Sequence, residues 1–177
     1  MGRSSLGKTM VVLILFGLLV WPVVQVYNWV HSKQEKHEAA HLLYQVSLFQ
    51  MELLKGILHE ANQMRATKEL DSLKQALYSA NYTHERLVLA VGSDKLAPMS
   101  SIPQLMQIIL RLQIGGERGL QPGEQRILQE AGAHFEKLFA PYQKLMTSNG
   151  EVVSSQKDKL SEADEAFKEW LQKKQLE

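Results

Sequence analysis

"HEAAHLLYQVSLFQMELLKGILHEANQM" runs from His37 to Met64, and its spacing decides the fold. Apolar side chains stand at Ala39, Leu42, Val46, Phe49, Leu53, Ile57 and Met64, in steps of three, four and seven. An α-helix turns about 100° per residue, so these steps place the side chains along one side of a helix. A strand would need an alternation of two, and none is present. The segment therefore reads as one long helix reaching about Arg65 and continuing upstream. Leu42, Val46, Phe49 and Leu53 form its expected buried stripe. His37 and His41 fall opposite the middle of that stripe, beside Gln45, Glu52, Lys55 and His59, on the expected solvated face.

The same periodicity recurs downstream. A second helix is expected through Leu70, Leu73, Leu77, Ala80, His84, Leu87 and Val91, with Gly92 as its stop. Ser101 and Gln104 spell a capping box with Pro103 in the first turn. They open a third helix through Ile102, Leu105, Ile109 and Leu112, ended by Gly115-Gly116. A fourth carries Leu128, Ala131, Phe135, Leu138, Tyr142 and Leu145, and Pro141 should kink or split it. After Asn149-Gly150 a last helix shows Leu160, Ala163, Phe167 and Trp170. Its start lies near Val152, or at Ser161 if Ser161-x-x-Asp164 is its cap. About five helical segments on short connectors imply an all-α fold, an antiparallel bundle. Leu42, Val46, Phe49 and Leu53 are expected to pack there with Leu73, Leu77, Phe135, Leu138, Phe167 and Trp170. Over so few turns, however, a bundle stripe and a coiled-coil seam between chains look alike.

Upstream, "TMVVLILFGLLVWPVVQVYNWV" from Thr9 to Val30 carries no charge and has the length to cross about 30 Å of hydrocarbon. The following "VVQVYNWVHS" lacks the small-x-small pattern of a signal-peptidase site, so the run reads as an uncleaved signal-anchor. The chain has no cysteine for a lipid-modified anchor, and Leu6 stands where a myristoylation signal needs Ser or Thr. The expected organisation is a cytoplasmic tail (1–8), a transmembrane signal-anchor helix (9–30) and an extracytoplasmic helical domain (31–177). Arg3 and Lys8 set the N-terminus inside the cell membrane by a narrow margin over Lys33 and Lys36. Trp21, Tyr27 and Trp29 suit the outer interface.

A net charge of +1 over 177 residues argues against a nucleic-acid partner. "GRSSLGKT", Gly2 to Thr9, matches the phosphate-loop spelling, yet no strand leads into it and the helix that follows is the span. No nucleotide is therefore expected. His37-Glu38-Ala39-Ala40-His41 spells the H-E-x-x-H of zinc proteases, with Glu60 the one plausible third ligand. "LLYQVS" follows it, without the further Gly and His that accompany HEAAH in one such subfamily, and the histidines face solvent rather than a cleft. Glu38-x-x-His41 has no second Glu-x-x-His to complete a di-iron site. His84, between Ala80 and Leu87, reads as a hydrogen-bonded core histidine. No cofactor and no catalytic residue is expected.

The expectation that results is a single-pass, membrane-anchored helical protein acting as a protein-interaction, scaffold or accessory module. The His37, His41, Glu52 and Lys55 face is left free for a protein partner or self-association. The alternatives are a ligand- or stress-sensing bundle coupled to a membrane partner and, less favoured, a zinc protease.

Overall fold

The computed structural model describes residues 37–176. The chain divides into two units, Met1–Glu38 and Ala39–Glu177. The run 9–30, the tail before it and Trp21, Tyr27 and Trp29 lie outside the described residues. Within residues 37–176 no helix is long and apolar enough to cross a membrane.

Those residues form five helices and no strand. Residues 37–60 are helical (α1), and one-turn 3-10 segments at Ala61–Gln63 and Thr67–Glu69 lead to α2, Leu70–Val91. Then follow α3 (Ser101–Ile114), α4 (Pro122–Tyr142) and α5 (Ser154–Leu176). Helices α2 and α3 run antiparallel, and so do α1 and α4. Lys74 near the start of α2 bonds Gln113 at the end of α3. Along α1 and α4, Lys55 pairs with Glu136 and Tyr44 with the Tyr142 carbonyl. A side chain at Gly132 would bring a Cβ to 3.3 Å from the Leu58 carbonyl oxygen, so its absence lets α1 and α4 approach closely there.

The helix ends follow local chemistry, with two departures from the sequence reading. Gly92 stops α2 as expected, at φ 99°, its N–H bonded to the Val88 carbonyl. In α4, Pro122 occupies the first turn and Glu124 closes a capping box with Gln121. Pro141 lies in the last turn of that helix, which ends at Tyr142 and leaves Leu145 outside it. The Ser101–Gln104 capping box does not form. Asp164 of α5 caps α3 instead, one carboxylate oxygen accepting from the Ser100 N–H and hydroxyl and the other from those of Ser101. The physical reason is that a carboxylate supplies two acceptors at the positive end of a helix, against one for a serine hydroxyl. Asp164 lies well inside α5, which begins at Ser154, so it is not that helix's own cap.

Of the expected core, Leu73, Leu77, Phe135, Leu138 and Phe167 are fully buried, and Trp170 packs half-buried against them. His134 packs against both Phe167 and Trp170, with ring centroids 5.4 and 4.8 Å away, and joins α4 to α5.

The α1 stripe is the principal correction. Leu42, Val46, Phe49 and Leu53 are exposed at 62, 50, 62 and 45%. The side facing the bundle carries Ala40, Tyr44, Ser47, Met51, Leu54 and Leu58. The two sets are offset by two residues, about 200° around the helix, so they face nearly opposite directions. Both have three-four spacing, so periodicity alone does not choose between them. Polar bonding chooses.

Candidate docking face on α1 and the polar anchor behind it

Tyr142 is the anchor that sets the rotation of α1. It ends α4 fully buried, where its hydroxyl lies 2.6 Å from Ser47 Oγ and 3.1 Å from His84 Nδ1. His84 Nε2 lies 3.0 Å from the Ala97 carbonyl. A carbonyl only accepts, so Nε2 carries the proton and Nδ1 is left as an acceptor. The Tyr142 hydroxyl therefore donates to Nδ1, and the Ser47 hydroxyl donates to Tyr142. Tyr44 completes the set by donating to the Tyr142 backbone carbonyl at 2.9 Å.

This arrangement joins α1, α2 and α4 through side chains that are all neutral. Burial pushes His84 down to about 4, against smaller upward pulls from the Ala97 carbonyl, Asp164 and Glu85. Burial likewise raises Tyr142 and Tyr44 above the ordinary phenol range. The cluster ties α1 to α2 and α4 through hydrogen bonds between neutral groups. Turning the apolar stripe inward would turn Tyr44 and Ser47 out, leaving the buried Tyr142 hydroxyl without Ser47 and the Tyr142 carbonyl without Tyr44, at about 1–3 kcal/mol for each orphaned group. His84 is the bonded core histidine that its position between Ala80 and Leu87 indicated.

With α1 locked, its outer side carries Leu42, Val46, Phe49 and Leu53 in steps of four, three and four. A contiguous apolar strip on the order of 400 Å² is as large as the patches that mark binding sites on monomeric proteins. Gln45, Gln50 and Glu52 flank it. On α2, Tyr78 and Tyr82 are also exposed and stack at 6.3 Å, with the Arg86 guanidinium 4.8 Å from the Tyr82 ring centre.

The residues singled out from the sequence are placed differently. His41 is half-buried; its ring lies 6.3 Å from that of Tyr44, and its Nε2 is 3.1 Å from Gln45 Nε2. Lys55 pairs with Glu136 at 3.2 Å and lies over the Phe139 ring. Glu52 and His59 are exposed, and His37 is half-buried. Glu60 stands on the same helix about 28 Å along from His41, at about 1.5 Å per residue, so these two do not share a metal ion. Among the described residues no three His, Asp or Glu side chains group in a way that could hold one. Asn81, in the sequon spelling, is half-buried within α2 and bonds Glu85 at 2.9 Å.

Fold and site together define a helical bundle in which, among the described residues, one face of α1 is left without a neighbour. No protein-family model, curated protein or solved structure matches the chain.

Proposed function

We propose that this protein is a membrane-anchored helical interaction module that docks another helix against Leu42, Val46, Phe49 and Leu53 of α1. One observation carries the reading: an apolar stripe at coiled-coil spacing lies exposed on a helix whose opposite side is fixed in the core. Helix-in-groove recognition uses anchors at this spacing, and apolar side chains held in water gain when another helix covers them.

The charge-free run 9–30 supports the anchor, with the bundle outside the cell membrane and the N-terminus inside. In this reading the docking face moves from His37, His41, Glu52 and Lys55 to the stripe, because Lys55 is committed to Glu136 and His41 is half-buried. Glu52 remains at the edge of the docking surface.

The test is crosslinking in native membranes, with Val46→Glu and Phe49→Glu introduced together. The double change should remove the crosslinked complex and leave helical content and melting nearly unchanged, since exposed positions tolerate substitution within about 0.5 kcal/mol. An undiminished complex from a folded variant would refute the stripe as the docking face.

A further inference from the structure

We infer that the occupant of the α1 stripe is the α1 stripe of a second copy of this chain, parallel and in register. The inference rests on the docking reading above and names its partner.

In heptad notation Val46 and Leu53 fall at a, with Leu42 and Phe49 at d. The bundle-facing residues Ala40, Tyr44, Ser47, Met51, Leu54 and Leu58 then fall at b and f. Positions b and f point away from an a/d seam, so two copies can join along α1 with their bundles outside the pair. A β-branched residue at a with leucine at d favours two parallel strands; Val46 with Leu42 follows that rule, and Leu53 at a with Phe49 at d departs from it.

Charge along the seam fits the same pairing. In parallel register the g and e positions meet across the seam, so Gln45 faces the second copy's Gln50 and Glu52 faces its Ile57. Along Leu42–Leu53 no like charges face each other and nothing basic stands beside the seam; Glu60, at the next a position, meets its own copy and marks where the seam ends.

Two stripes cover roughly 800 Å² of apolar surface, short of the ~1,200 Å² at the low end of stable interfaces. A patch that small holds a tethered neighbour better than a partner arriving from solution, because tethering raises the effective concentration. The charge-free run ends at Val30, twelve residues before Leu42. Copies anchored through it in one bilayer leave the membrane on the same side and with the same chain direction, which is the parallel order.

The chain has no cysteine, so single introduced thiols report without background. Val46→Cys, Phe49→Cys and, as an exposed control on α5, Glu169→Cys are made in the full chain. They are oxidised in native membranes with copper phenanthroline, after circular dichroism confirms unchanged helix content. Parallel pairing brings each a or d residue against its own copy within disulfide reach, so disulfide dimer at 46 and 49 should exceed that at 169 by about ten-fold. Val46→Glu in the Phe49→Cys chain should abolish that dimer. Equal dimer at all three sites overturns the inference, and so does dimer formed only when the 46 and 49 variants are mixed, the sign of antiparallel order. A photo-crosslinker at position 46 separates the remaining outcomes. Capture of an unlike protein, or of residues 9–30 of the same chain, overturns self-pairing; the former leaves the docking reading standing. Capture of nothing removes both.

Discussion

Lowering the pH should loosen this bundle through His84, by an amount the structure sets. The ring is neutral in the folded chain because burial pushes its pKa from 6.5 to about 4. In the unfolded chain it titrates near 6.5, so acid favours the unfolded state. The contribution of the neutral ring is complete above pH 6.5 and is lost as the pH falls toward 4. Linkage gives a loss of about 2 kcal/mol by pH 5 and about 3 kcal/mol by pH 4, a large share of a typical domain's 5–15 kcal/mol. The assay is urea unfolding of fragment 31–177 between pH 7.5 and 4.5, beside His84→Gln. Glutamine can donate to the Ala97 carbonyl and accept from Tyr142, but it does not titrate. Subtracting the two profiles removes the carboxylates common to both, and the difference should narrow by about 2 kcal/mol between pH 7 and pH 5. Parallel profiles would refute the burial of a neutral His84, and with it the bonding that orients α1.

The remaining expectations concern packing, capping and anchoring. Phe135→Ala empties a fully buried site and should cost about 3–5 kcal/mol. Phe49→Ala, on the exposed stripe, should change the monomeric bundle by less than about 0.5 kcal/mol in the same melts. Asp164→Ala strips the start of α3 of all its carboxylate bonds and should cost about 2 kcal/mol, read as an earlier urea midpoint with an unchanged slope. Full-length chain should remain in the membrane pellet after carbonate washing, whereas a mature N-terminus near residue 30 would contradict the anchor.

The number and order of helices can be read from the sequence because each segment repeats apolar residues at helical spacing, and α2, α3 and α4 end at glycine or proline. Gly92 and Gly115-Gly116 mark ends that the structure keeps. The rotation of α1 cannot be read the same way. Leu42, Leu43, Val46, Leu48, Phe49, Met51, Leu53, Leu54, Ile57 and Leu58 put apolar side chains around most of that helix, so two stripes compete. The greasier one faces out because Tyr44 and Ser47 are needed inward by a tyrosine about 95 residues later in the chain. The signal was a pair of hydroxyls at three-residue spacing on an apolar helix, and it has meaning only beside His84 and Tyr142. Asp164 was hidden for a similar reason. Its Ser-x-x-Asp setting suggests a local cap, while its hydrogen bonds reach more than 60 residues back.

Thiol accessibility along α1 tests the docking claim most directly, whatever the occupant. Single cysteines at 42, 46, 49 and 53, with 45 and 52 at the flanks and 51 facing the core, are alkylated in fragment 31–177 and in full-length chain within native membranes. The account predicts rapid reaction at 42, 46, 49 and 53 in the fragment, strong protection of those four in membranes, and slow reaction at 51 in both. Equal reactivity of 42, 46, 49 and 53 in the two settings would contradict it.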